Sequence, residues 1–222
     1  MVLTVACAPA GVNNSSNTSL ENPATQNEVL IWEKTVPASK SWSKYIFKTI
    51  SAEHPEILSS NIATDVELFC SNYKSLSTNK KIVFWGQLFA AIAKYESAWV
   101  PNSRMVETTM GNDPITHEQV ASEGLLQLSY QDTLSYGSNC DFDWSVDKKY
   151  HHISPTDSRK SIFDSYKNLR CGIHILARQL KIYNAITVEK GVYWAVIKKN
   201  GSHHKIREIS AITQSLSVCQ KK

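Results

Sequence analysis

The chain of 222 residues has no apolar run approaching the ~18–20 residues that a bilayer-spanning helix needs, so no segment reads as transmembrane. Strand-like alternation is nearly absent and no internal repeat appears, which leaves a helical reading. Basic clusters are also missing. Adjacent Lys/Arg residues occur only as pairs, such as Lys80-Lys81, Lys148-Lys149 and Lys198-Lys199, so the formal net charge of +4 is dispersed and forms no nucleic-acid patch, although it suits an anionic cell envelope. There is no His-Glu-x-x-His word, no cysteine pair at metal-knuckle spacing, no Gly-x-Ser-x-Gly elbow and no phosphate loop. His151-His152 and His203-His204 are adjacent pairs that point to different faces. A zinc hydrolase or peptidase therefore lacks a ligand set, and no metal or cofactor is implied.

With 42% hydrophobic and 20% charged residues, the chain supports one core-bearing domain plus a tail. Leu3-Thr4-Val5-Ala6-Cys7 ends like a bacterial lipoprotein signal and makes Cys7 a lipidation candidate, though the basic n-region and most of the h-region are missing. From Ala8 to about Glu28 the sequence is rich in Asn, Ser, Thr and Pro and too poor in apolar residues to order itself, so residues 1–28 are expected to be leader and flexible tether, with the domain at 29–222. The remaining cysteines, Cys70, Cys140, Cys171 and Cys219, favour two disulfides and an extracytoplasmic setting, whether periplasmic, anchored at an outer membrane or secreted. Three pairings are open. Cys140 with Cys171 is preferred, because both stand at transitions from irregular to helical sequence.

Trp42, Tyr45, Ile46 and Ile50 recur at helical spacing behind Ser41, and Pro55 closes that segment. The strongest helix runs from about Lys81 to Ser97, with Trp85, Phe89, Ile92 and Glu96 on one stripe and Pro101 beyond it. Val106 to Val120 reads as a loop, followed by the apolar word Gly124-Leu125-Leu126-Gln127-Leu128, then a short helix capped by Ser129 with Asp132 in the manner of a capping box. Gly137 to Pro155 reads as a surface loop in which Asp141-Phe142-Asp143-Trp144, beside Cys140, is disulfide-anchored and not a calcium site. A long amphipathic helix is expected from Ser158 to Asn184, and two more around Val192–Lys199 and Lys205–Val218. The fold class is all-α, with at most a short hairpin.

A glutamate on a buried helical stripe is costly unless it is paired or protonated. Glu96 also occupies the last turn of its helix, where the negative end of the macrodipole disfavours the anion. Burial and dipole both push its pKa upward, towards what a general acid working near neutral pH requires. A salt bridge to Lys94 or Arg104 is the structural alternative.

Ala93-Lys94-Tyr95-Glu96-Ser97-Ala98-Trp99-Val100-Pro101-Asn102-Ser103 resembles the catalytic segment of the soluble-lytic-transglycosylase and goose-type-lysozyme families, in which a helix ends in Glu-Ser before an aromatic residue and Pro-Asn. Gly124-Leu125-Leu126-Gln127-Leu128 resembles their second word, usually Gly-Leu-Met-Gln-Leu, and stands at the right separation. Ser122-Glu123, Asn168-Leu169-Arg170-Cys171-Gly172 and Tyr193-Trp194-Ala195-Val196 are similar to a divergent, exported branch that includes lysozymes acting on deacetylated peptidoglycan. The resemblance implies a lysozyme-like fold, a monomer, peptidoglycan as the partner and cleavage of its glycan strands. It assigns Glu96 as the acid, Ser97 and Gln127 to the cleft, and Tyr193 or Trp194 to an aromatic wall.

The families' Tyr-Asn-Ala-Gly word is replaced here by Lys198-Lys199-Asn200-Gly201; either the tyrosine's duty falls to Tyr193 or the step it assists differs, and the product is either an anhydro sugar or a hydrolysed end. Glu107, Asp113 and Glu123 are candidates for a second carboxylate, or for an acidic surface that attracts the ammonium of glucosamine. Trp99, Tyr130 and Trp144 could stack on sugar rings, but rings in such a pattern more often belong to a core. A catalytically silent glycan-binding module is the alternative function.

Overall fold

A computed structural model describes residues 29–220, so Cys7 and the expected tether lie outside the described residues. The central element is helix α3 (Thr78–Ser97), buried on nearly every side from Lys81 to Ala93. A helix that is apolar all round belongs inside a core. Around it stand α1 (Ser39–Glu53), α2 (Val66–Phe69), α4 (Asp132–Tyr136), α5 (Trp144–His151), α6 (Ser165–Tyr183) and α7 (Ile206–Gln214). Helix α1 packs on α3 and α6, and α7 packs on α3. At Gly86 an added Cβ would lie 2.6 Å from the Phe47 ring, so the absent side chain is what lets α1 cross α3 this closely. Phe84, Trp85, Leu88, Phe89 and Ile92 meet Ile46, Ile50, Leu169, Ile173, Leu176 and Ile209 in one core. Each such side chain contributes roughly 1.5–3 kcal/mol relative to exposure. Buried polar atoms there are paired: Trp85 Nε1 donates to Tyr73 Oη at 2.9 Å, and Tyr73 Oη donates to the Ile57 carbonyl at 2.8 Å.

One antiparallel hairpin interrupts the helices. Strand β1 (Arg104–Val106) pairs with β2 (Ala121–Glu123) in the register Arg104 to Glu123, Met105 to Ser122 and Val106 to Ala121. Its long tip is braced by Asp113, whose carboxylate accepts from the N–H groups of Ile115, Thr116 and Gln131.

Two disulfides close the fold, Cys70–Cys219 and Cys140–Cys171. They suit an oxidising, extracytoplasmic environment. No helix among the described residues is long and apolar enough to cross a membrane.

Several boundaries differ from the sequence reading. Helix α3 begins three residues earlier. The helix expected from Ser158 is a 3₁₀ turn (Ser161–Phe163) followed by α6, because the Asp164 carboxylate accepts from Lys167 N–H and caps a fresh start. The segment 192–199 holds only a 3₁₀ turn (Ala195–Ile197), and 205–218 is α7 followed by a 3₁₀ turn (Ser217–Cys219). The stretch 137–155 is not all loop. Helix α5 sits inside it, capped by the Asp143 carboxylate, and its eight residues are too few and too polar to show a period.

Candidate active site

Helix α3 stops immediately after Ser97. Ala98 and Trp99 both adopt left-handed backbone, with φ of 51° and 64°, and the Trp99 indole N–H donates back to the Ala90 carbonyl at 2.8 Å. Two successive non-glycine residues at positive φ are strained, and the indole anchor helps to hold them. The sharp stop leaves Glu96 on the floor of a cleft of about 760 Å³, whose lining includes Tyr95, Met105, Glu107, Ser122, Gln127, Asp132, Tyr193, Trp194 and His203.

Glu96 makes no ion pair, so the expected alternative partners Lys94 and Arg104 are not used; Lys94 instead lies over the rings of Tyr95 and Trp99. One carboxyl oxygen, Oε1, is sealed from solvent without a hydrogen-bond partner. Burial raises the pKa to about 7, the nearby Glu107 charge adds to the rise, and a hydrogen bond from the Val196 backbone opposes it. The group is therefore a carboxylic acid poised to give or take a proton at neutral pH.

Glu107 follows β1 and reaches the same cleft. Ser122 Oγ donates to Glu107 Oε1, and Glu107 N–H donates to the Val120 carbonyl at 2.8 Å. Side chains on a strand alternate between its faces, so Ser122 faces the cleft while Glu123 faces away. Glu123 is 3% exposed and is engaged by Lys160 Nζ and, at 3.3 Å, by Arg104 Nε. Burial pushes Glu123 up and Lys160 down, while each pulls the other back. Glu123 thus lies outside the cleft, braced beneath the hairpin. Asp113 is likewise consumed by backbone N–H groups and lies outside the cleft lining.

The Gly124–Leu128 word forms a tight turn that seats the cleft wall. Gly124 has φ of 82°, and an added Cβ would sit 2.2 Å from Asn168 Nδ2. Asn168 in turn pins the turn: Oδ1 accepts from Leu126 N–H at 2.8 Å, and Nδ2 donates to the carbonyls of Glu123 and Ile162, each at 3.1 Å. Gln127, at φ of 51°, lines the cleft but donates its amide to Gly124 O at 2.9 Å. Its placement is thus fixed from within.

Tyr193 and Trp194 both line the cleft. Trp194 is nearly buried and donates its indole N–H to Leu126 O at 2.8 Å. Tyr193 spends its hydroxyl on Asp132, donating to Oδ2 at 2.5 Å. Burial raises the Asp132 pKa to about 6, while the Ser129 N–H and the Tyr193 hydroxyl pull it back. Asp132 was legible only as a capping residue; it does accept from Ser129 N–H at 2.8 Å, but α4 starts at Asp132 behind Gln131, so Ser129 does not cap the helix as expected, and the place of Asp132 in the cleft had no separate signal. His203, read in the sequence only as half of an adjacent histidine pair without a metal site, also lines the cleft.

Ser97 does not line the cleft. Its Oγ donates to Ala93 O at 3.1 Å, the back-bond open to a helical serine. Trp99, Tyr130 and Trp144 also serve packing: Tyr130 donates to Asp147 Oδ2 at 2.8 Å and stacks edge-on against Trp144 at 5.0 Å. Among the described residues no three His, Cys, Asp or Glu side chains converge on a point that would hold a metal ion.

No family model matches the chain, and no curated protein matches it at a significant level. Among solved structures it is similar to DslA, a Bdellovibrio protein: the wild-type form is 27% identical with a TM-score of 0.71, covering 88% of this chain and 100% of that one. Two glutamate-to-glutamine mutants of DslA align over the same spans at 27% and 26% identity, with TM-scores of 0.71 and 0.70. The likeness supports a related fold.

Proposed function

We propose that this cleft cleaves the glycan strands of peptidoglycan, at the β-1,4 bond between N-acetylmuramic acid and N-acetylglucosamine or its deacetylated form. Glu96 is the general acid that protonates the glycosidic oxygen, and Glu107 is the second carboxylate. The observation that carries this reading is Glu96 itself: a cleft carboxyl without an ion pair, with its pKa raised to about 7 and one oxygen unpartnered. Glu107 lines the same cleft and its charge is one of the causes of the Glu96 rise, which puts a second carboxylate within reach of the reacting bond.

Glu107 gains independent support. The two glutamates replaced by glutamine in the DslA mutants stand eleven positions apart in that chain, which is also the spacing from Glu96 to Glu107. As the bond breaks, positive charge develops on the sugar ring, and the Glu107 carboxylate faces it across the cleft or holds the attacking water. A second carboxylate favours hydrolysis over internal attack by the muramic 6-hydroxyl. Its charge also complements the ammonium of a deacetylated glucosamine. The disulfides fit action outside the cytoplasm.

Mass spectrometry of the fragments released from native and chemically deacetylated peptidoglycan tests this. Reducing ends are expected. Anhydromuramic ends would reassign the reaction to a lytic transglycosylase. No release from either substrate, or equal release by Glu96→Gln, would reduce the cleft to a glycan-binding surface.

A further inference from the structure

Beside the cleft, sharing Val192 and Tyr193 with it, lies a second cavity of about 350 Å³ between α4 and the C-terminal half of α6. Its chemistry is opposite in sign. The cleft wall carries Glu107 and Asp132, whereas the side cavity is lined by no carboxylate and presents the guanidinium of Arg178 between Tyr136, Gln179 and Tyr183. Arg178 is held in place: Nη1 donates to the Ser135 carbonyl at 2.9 Å, and the guanidinium lies 5.4 Å over the Tyr136 ring.

Among the described residues no acidic side chain is within ion-pair distance of Arg178, so its remaining donors have no anion. Gln179 is 4% exposed, donates to Ile186 O at 2.7 Å and keeps a buried Oε1 without a partner. The far wall is drawn in at Gly191, where φ is 76° and an added Cβ would lie 2.1 Å from the Tyr183 hydroxyl oxygen.

We infer that this side cavity takes the stem peptide of the muramic acid bound in the adjoining cleft, with Arg178 pairing a peptide carboxylate. The inference rests on the glycan-cleaving reading. A muramic acid carries its peptide on the lactyl group, off the axis of the strand, so a strand lying along the cleft must send that peptide sideways. The volume next to Tyr193 is available for it. An arginine fork matches a carboxylate with two parallel hydrogen bonds, and the flanking rings of Tyr136 and Tyr183 accept small apolar side chains. The sorting of charge, anionic where sugar binds and cationic where peptide carboxylates lie, also fixes the direction in which a strand enters.

The experiment compares peptidoglycan bearing its stem peptides with the same glycan stripped of peptides by an amidase, using the native protein, Arg178→Ala and Arg178→Lys. Native protein is expected to cut the peptide-bearing strand about tenfold faster, a factor worth one charge-assisted pair. Arg178→Ala loses that preference while its rate on stripped glycan changes less than about twofold, and Arg178→Lys, which keeps the charge without the fork, retains part of it. Equal cutting of both substrates by the native protein overturns the inference, and so does an equal fall on both in Arg178→Ala, which would mark the contact to Ser135 as merely structural. If the native protein cuts neither substrate, the glycosidase reading falls first and takes this one with it, an outcome distinct from normal cutting with an unchanged ratio.

Discussion

Glu96 and Glu123 are both glutamates drawn out of water at the ends of short structural words, and the protein treats them in opposite ways. Glu123 is given a lysine, an arginine and a place beneath the hairpin, so its charge is spent on holding β2 down. Glu96 is given no cation, a nearby negative charge and one hydrogen bond from a backbone N–H, so its charge is suppressed. Partnering decides whether a buried carboxyl stabilises a structure or stores reactivity, and the difference cannot be read from burial alone.

The sharpest break in this comparison is Glu96→Gln, which removes the acid and keeps the shape. Fragment release is expected to fall on the order of 10³-fold, with circular dichroism unchanged. Next is Lys160→Met, which leaves Glu123 buried with its main partner gone. Denaturant titration should show a loss of about 3–5 kcal/mol, much of it recovered when Glu123→Leu is added, because removing both charges removes the desolvation penalty.

The pH dependence of stability separates the two glutamates further. The folded-state pKa of Glu96, about 7, lies above its unfolded value of 4.5, so the stability it contributes is fully present below 4.5 and is lost as pH rises through 7. Glu96→Gln should therefore raise the melting temperature above pH 7, by the equivalent of at most about 3 kcal/mol. The smallest effect is on the pH profile of the residual activity of Glu107→Gln: its alkaline limb should move to lower pH, since the charge that helps to raise Glu96 is gone. A limb that stays near pH 7 would separate Glu107 from the acid.

Glu96 was legible as the candidate acid because two independent signals coincide at that residue, the apolar stripe of α3 and the Glu-Ser word at its end. The long helices were legible from their apolar spacing, since α1 and α6 bury regular stripes and α3 is apolar nearly all round. What escaped was decided by short-range or long-range geometry that no period encodes. Helix α5 is brief and polar, and the turn 195–197 is too short to form the helix its apolar residues suggested. Glu123 looked like a cleft carboxylate until strand alternation turned it inward, a consequence of the Arg104–Glu123 register. Asp132 is the reverse case, a capping acid by sequence that meets Tyr193 across 61 residues. The preferred pairing of Cys140 with Cys171 rested on their position beside irregular loops, and it is the pairing found.

The Cys70–Cys219 bridge spans 149 residues, whereas Cys140–Cys171 spans 31. In the chain-entropy description a cross-link removes more conformations from the unfolded chain the longer the loop it closes, roughly 5 kcal/mol for the long bridge against about 4 for the short one, so the tie between the end of α2 and the C-terminal turn is the larger restraint on the unfolded chain.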